Sequence, residues 1–263
     1  MTLLPCHSRP RRIRHPDCRG FTLLELILAI TLVGILAAFS LTFLIQPVRF
    51  MVESSLRAEQ VDTADMAMSL MTRELRGALP NSIRIHTDEN ALEFIPVLGA
   101  GRYQRYGQSA LNVTAKEGDF GFHGFIPTDL QNACNSDCRI SIYNTGQTGM
   151  DAYYCEQLAR VSKIHPDRIS FEEAAFRTHS PQQRFYLVRH AVKYVCDKGE
   201  LRRRTFTLCD APKTPTDALL ATGVKSCDFS YNPMQGLVKM ELNLSHKGQP
   251  LSLFTRVQVL NAP

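Results

Sequence analysis

From Phe21 to Ile45 every residue except Glu25 is uncharged, and most are large and apolar. As a helix that run would reach about 37 Å at 1.5 Å per residue, and a bilayer core needs about 30 Å. The pattern changes after Pro47. Val61, Ala64, Met68, Met71, Leu75 and Ala78 recur at three- and four-residue spacing and form one apolar face, while Glu53, Glu59, Asp62, Asp65, Arg73, Glu74 and Arg76 lie around it. Leu79-Pro80-Asn81 closes the pattern. The spacing therefore predicts one helix of roughly 55 residues serving two environments: residues 21–47 in lipid or a fibre core, and residues 48–80 as the amphipathic spine of an exported domain. Pro47 is expected to kink or locally unwind it, with Gly34 as a second weak point. The methionines in the stripe read as core.

After Pro80 the period shortens to that of strands. Residues 82–86 and 91–97 alternate around an Asp88-Glu89-Asn90 turn. Residues 99–125 hold six glycines with Tyr103 and Tyr106, and read as a long loop region. Short strands follow at 139–143 and 168–171. A stronger one runs from Arg184 to Cys196, broken near His190-Ala191. Asp197-Lys198-Gly199-Glu200 turns it back into Leu201–Leu208. The chain ends in a meander of 224–231, 237–244 and 251–260, with turns at 232–236 and 246–250. The predicted class is α+β: one long N-terminal helix packed on an antiparallel sheet, with residues 81–263 as the β-rich head.

Charge adds topology. The chain of 263 residues has a formal net charge of +5. Arg9, Arg11, Arg12, Arg14 and Arg19 precede the apolar run against one acid, Asp17, and the rest of the chain is nearly balanced. By the positive-inside rule residues 1–20 stay in the cytoplasm and everything after Ile45 crosses the membrane. Cys6 and Cys18 lie in this leader. Cys134, Cys138, Cys155, Cys196, Cys209 and Cys227 fall on the oxidising side, where disulfides are expected. Six cysteines allow fifteen connectivities. The 197–200 hairpin sets Cys196 and Cys209 on opposite arms and predicts that they pair. Cys134 or Cys138 would then join Cys155, leaving a longer link to Cys227.

A carboxylate inside a bilayer costs on the order of 2.5–3.5 kcal/mol at the centre, so Glu25 needs a partner. A cleaved secretory signal, cut near Ala37-Ala38, has too short an apolar stretch to match this run. A plain signal anchor leaves Glu25 unexplained. Gly20-Phe21-Thr22-Leu23-Leu24-Glu25 resembles the class III signal of type IV pilins and type II secretion pseudopilins: a basic leader, a glycine, then Phe-Thr-Leu-Leu-Glu opening a long apolar helix. The resemblance implies that a prepilin peptidase cuts between Gly20 and Phe21 and N-methylates Phe21. Glu25 is then the fifth residue of the mature chain. Its carboxylate can meet the Phe21 ammonium of a neighbouring subunit in a bundle of low dielectric, where either charge alone is costly.

Further motifs narrow the resemblance. Residues 72–84, Arg184-Phe185-Tyr186-Leu187-Val188, Tyr194-Val195-Cys196-Asp197, Leu201-Arg202-Arg203 and the final residues 257–263 are similar to a minor pilin of mannose-sensitive haemagglutinin (MSHA) pili. The spine end with its arginines is also similar to the J-type minor pseudopilins of type II secretion. The implied partners are the peptidase, other pilin subunits through the N-terminal helix, and an inner-membrane assembly platform driven by a separate cytoplasmic ATPase. The implied location is a single inner-membrane pass with a periplasmic head, later incorporated in the pilus.

Nothing in the head reads as catalysis. His86, His123, His165, His179, His190 and His246 form no His-Glu-x-x-His cluster, and no Gly-x-Ser-x-Gly elbow is present. Gly99-Ala100-Gly101 lacks the further glycine or lysine of a nucleotide loop. Cys134, Cys138, Cys155 and His123 could ligand zinc, but an exported chain favours disulfides. Asp197 and residues 132–137 fit no calcium-loop spacing. No cofactor or metal is predicted. Arg202-Arg203-Arg204 with Lys198 is the one basic cluster of the head, and alternation on a strand splits it between two faces. A solvated edge strand is therefore favoured over nucleic-acid binding. A pilus-borne adhesin using the 99–180 region or the basic hairpin stands as the alternative to an assembly role.

Overall fold

The computed structural model describes residues 22–134, 137–209, 216–246 and 249–260. The chain divides into two units, Met1–Ser55 and Leu56–Pro263. Helix α1 (Leu23–Arg76) is continuous through Pro47, so the local unwinding offered for that residue does not occur. The helix ends by tightening: the N–H groups of Gly77 and Ala78 donate to the carbonyls of Glu74 and Leu75. Leu79 N–H then donates to Ile95 O, and Val97 N–H to Gly77 O, which stitches the helix exit to the first hairpin.

Among the described residues fourteen strands follow: β1 (Arg84–His86), β2 (Ala91–Phe94), β3 (Val97–Tyr103), β4 (Gly118–His123), β5 (Arg139–Ser141), β6 (Leu158–Ile164), β7 (Arg168–Glu172), β8 (Arg184–Val188), β9 (His190–Asp197), β10 (Glu200–Thr207), β11 (Thr216–Thr222), β12 (Val224–Asn232), β13 (Leu237–His246) and β14 (Gln249–Gln258). A short helix α2 (Thr128–Ala133) precedes β5. Strands β1-β2-β9-β10-β11 make a five-stranded sheet and β12-β13-β14 a three-stranded one. The expected turn at 197–200 is present. Lys198 and Gly199 have φ of 50° and 83°, the left-handed pair that a two-residue hairpin of matching twist requires.

One core joins both of these sheets to the second half of α1. Ala64, Ala67, Met68, Met71, Leu75 and Ala78 pack with Leu92, Phe94, Tyr194 and Leu201, and with Val238, Met240, Leu242 and Val257. The stripe read from spacing is thus core, except that Ala67 belongs to it and Val61 is only half-buried.

The remaining strands depart from the expected antiparallel sheet lying on one long helix. β3-β4-β7-β6-β5-β8 close into a six-stranded barrel. Its interior is aromatic. Phe120, Phe122 and Phe185 meet edge to face with ring centroids 5.6 Å apart for each pair with Phe185, and Phe171 lies against Phe120. Four of the six glycines of 99–125, read as loop, sit in its wall: Gly99 and Gly101 on β3, Gly118 and Gly121 on β4. A Cβ on Gly101 would lie 2.7 Å from Phe185 Cε1, and one on Gly121 3.0 Å from Gln104 Cδ. Glycine inside a strand here marks close approach rather than a turn.

Three disulfides close the head: Cys134–Cys138, Cys155–Cys209 and Cys196–Cys227. The predicted Cys196–Cys209 pair does not form. Across the hairpin Cys196 faces Leu201, whereas Thr207 already faces His190. Cys209 lies past that far end, so it and Cys196 stand at opposite ends of the ladder, roughly 25 Å apart at 3.4 Å per residue. Cys155 likewise takes Cys209 rather than Cys134 or Cys138, which bond to each other.

Candidate functional site

The candidate site is the opening of α1. Gly20 and Phe21, the proposed cut and methylation site, lie outside the described residues, as do Cys6, Cys18 and the leader arginines. Thr22 stands immediately before the helix. Thr22 Oγ1 accepts the N–H of Glu25 at 3.3 Å, and Thr22 O accepts the N–H of Leu26 at 3.1 Å. Thr22 therefore caps the helix and satisfies one of its orphan donors. Glu25 sits in the first turn, where a carboxylate is also favoured by the positive end of the helix dipole. Thr22-Leu23-Leu24-Glu25 has the Ser/Thr-x-x-Glu spacing of a capping box. The capping role of Thr22 is legible in that spacing, and it adds a reason for the threonine which the resemblance alone does not supply.

Nothing in the described chain covers the opening stretch of this helix. Leu23–Ser40 is long and apolar enough to cross a membrane, and none of it is buried. Leu23 is 76 % exposed and Phe43 79 %. Fully covering such a side chain is worth about 1.5–3 kcal/mol, so a surface of this kind calls for lipid or other helices. Glu25 lies on the same bare helix with no side-chain partner in the chain's described part. The arrangement can pair an acid with a cation supplied from outside, within an apolar setting.

The head's candidates fare differently. The basic hairpin is neutralised from within. Arg202 binds Glu200 at 2.7 Å and Asp217 at 3.1 Å, and Arg204 binds Asp217 at 3.2 Å. Arg203 points the other way, with Nε 3.0 Å from Glu74 Oε2 on α1. β10 lies between β9 and β11, so it is not the edge strand expected. Tyr194 Oη donates to the same Glu74 carboxylate at 2.5 Å. Burial and that carboxylate together push the Tyr194 phenol well above its usual range. His190, at the far end of β9, is held below its usual value by burial and then by the Arg203 and Arg189 guanidiniums. Among the described residues no three His, Cys, Asp or Glu side chains converge as metal ligands. His123 stands on β4, and the cysteines considered with it are in disulfides.

Residues 16–41 match the family model of the prokaryotic N-terminal methylation motif. Comparison with curated proteins gave no match. The matched motif covers the leader end, the expected cut and the bare opening of α1, and implies processing by a prepilin peptidase. With an apolar N-terminal helix followed by antiparallel sheets, it supports a type IV pilin-like or pseudopilin protein anchored in a membrane.

Proposed function

We propose that the chain is a non-enzymatic minor type IV pilin of MSHA type, resembling MshO. It is inserted as a precursor, cut after Gly20, N-methylated at Phe21 and built into a pilus through α1. The observation that carries this reading is the capped, uncovered helix start with Glu25 in its first turn, inside the matched methylation motif. Prepilin peptidase, neighbouring pilins and an inner-membrane assembly platform are its partners in this reading. The size of the head and the MSHA-like motifs at 184–188, 194–197 and 201–203 support minor status.

A J-type pseudopilin would be the same physical object in a secretion machine, and the methylation motif supports it equally. Deletion separates the two: loss of pili and attachment supports the first, loss of protein secretion the second. The adhesin alternative draws on the barrel, five of whose six strands fall largely in the 99–180 region. The internal pairing of Arg202, Arg203 and Arg204 works against the nucleic-acid alternative, because phosphate contact needs uncompensated cations.

The decisive experiment is mass spectrometry of the N-terminal peptide from protein in its native envelope. A methylated Phe21 supports the reading. A chain still beginning at Met1 describes an ordinary signal anchor and removes the role given to Glu25.

A further inference from the structure

The three-stranded sheet ends in an open edge. β14 pairs with β13 along its whole length, and among the described residues no strand pairs with its other side. Pro250 stands near its start, where a missing N–H blunts the edge. From Leu251 to Gln258 the edge is free for about 27 Å. Exposed strand edges of this length template pairing with another chain unless they are covered.

A groove of about 580 Å³ runs beside this edge, between β14 and α1. Met68, Leu253 and Phe254 give it an apolar lining, and Arg73 and Arg76 stand on its helix wall. Arginines in a last helical turn ordinarily offset the helix dipole. These two do so beside an open strand edge, and no hydrogen bond or ion pair holds either side chain within the described residues. Arg256 adds a third guanidinium, 5.1 Å from the Phe254 ring. Asp65 lines the groove two helical turns earlier, so its polarity runs along its length.

An open edge beside a helix, with unneutralised cations at one end, is the arrangement that receives an added strand. Main-chain bonds would supply affinity, and the arginines would select the charge and direction of the incoming segment. A second copy of this chain does not fit through its own β14 edge. β14 carries arginine as its only charged residue, so two such edges would bring like charges together. The acid of the β11 edge, Asp217, is already held by Arg202 and Arg204.

We infer that the groove between α1 and β14 binds an extended, acid-bearing segment of a different protein by strand addition, with its carboxylates against Arg73 and Arg76. This goes beyond the assembly role of the start of α1, because it concerns only the unit from Leu56 onward and does not depend on how Phe21 is processed.

The test uses full-length protein in detergent and fluorescent ten-residue peptides of alternating threonine and valine, ending in two aspartates, in two lysines, or in two aspartates with a central proline. Saturable binding of the aspartate peptide is expected, at least tenfold tighter than that of either other peptide. In the R73E/R76E double variant the preference should reverse toward the lysine peptide, which a merely disrupted head would not produce. Equal binding of all three peptides, no binding of any, or a preference untouched by the double variant would overturn the inference.

Discussion

The two stretches of α1 on either side of residue 55 obey opposite rules. Up to Ser55 the helix is mostly apolar, and its described side chains stand exposed. From Leu56 it is mostly polar, yet it buries a narrow stripe: Ala64, Ala67, Met68, Met71 and Leu75. The richer apolar sequence buries less. Burial within a chain depends on a facing partner, and only the second stretch has sheets to pack on. The first stretch must find its cover outside the chain. Its chemistry should therefore report on assembly, and that of the second on stability.

The largest expected effect comes from Glu25→Ala. The protein should still insert, because the substitution removes a charge from an apolar run. It should no longer be incorporated into fibres, as read by immunoblotting of sheared surface fractions. The melting temperature of the head should be unchanged. Normal incorporation would erase the distinction between the two stretches.

Met71→Ala should do the reverse. Met71 is 1 % exposed in the core shared by α1 and both sheets. Its truncation should cost about 2–5 kcal/mol, seen as a fall in the thermal midpoint of roughly 5–15 °C. Insertion and processing at the N-terminus should be unaffected.

Glu74→Gln sharpens the same contrast at a polar contact. Glu74 receives both Tyr194 Oη and Arg203 Nε, on β9 and β10. Losing the charge should destabilise the head by about 2 kcal/mol. Tyr194→Phe should cost less, and the double variant less than the sum, because the two share one carboxylate. Additive losses in chemical denaturation would show that the carboxylate does not couple them.

The smallest effect concerns His190. Its folded-state pKa lies below the usual 6.5 because of burial first and the Arg203 and Arg189 guanidiniums next, against smaller opposing effects of Glu74 and Asp137. The unfolded chain therefore takes up a proton here before the folded one does. Stability should be intact above about pH 6.5 and fall as the pH drops below it. In His190→Gln the decline of the urea midpoint between pH 7 and pH 5 should be shallower. A decline as steep as the parent's would assign the acid sensitivity elsewhere, with His179 as the next group, since burial and Arg105 lower its pKa as well.

Much of the head was readable where local chemistry decides. The Lys198-Gly199 turn, the β12 to β14 meander and the stripe on α1 all follow from turn residues or from periodicity. β3 and β4 were hidden because their glycines resemble those of loops. What they accommodate are side chains from distant segments, Phe185 on β8 at Gly101 and Phe171 on β7 at Gly118. β6 and β11 were missed too. β11 follows residues 210–215, outside the described chain, and presents an irregular, largely exposed pattern. At the helix start, the Thr22 cap could have been found from its three-residue spacing to Glu25.

By itself the sequence determined the long apolar helix, the methylation motif around Gly20 to Glu25 and the α+β class. These depend on hydropathy, on spacing within a few residues and on the dihedral preferences of turn residues. Only the tertiary structure decided which cysteines pair, that six strands close into a barrel, and that Arg203 turns inward to Glu74 while Arg202 and Arg204 meet Asp217. Those outcomes depend on which distant segments lie side by side. A cysteine bonds to whatever sulfur the register leaves within about 6 Å between Cα atoms, and neither residue type nor local pattern carries that distance.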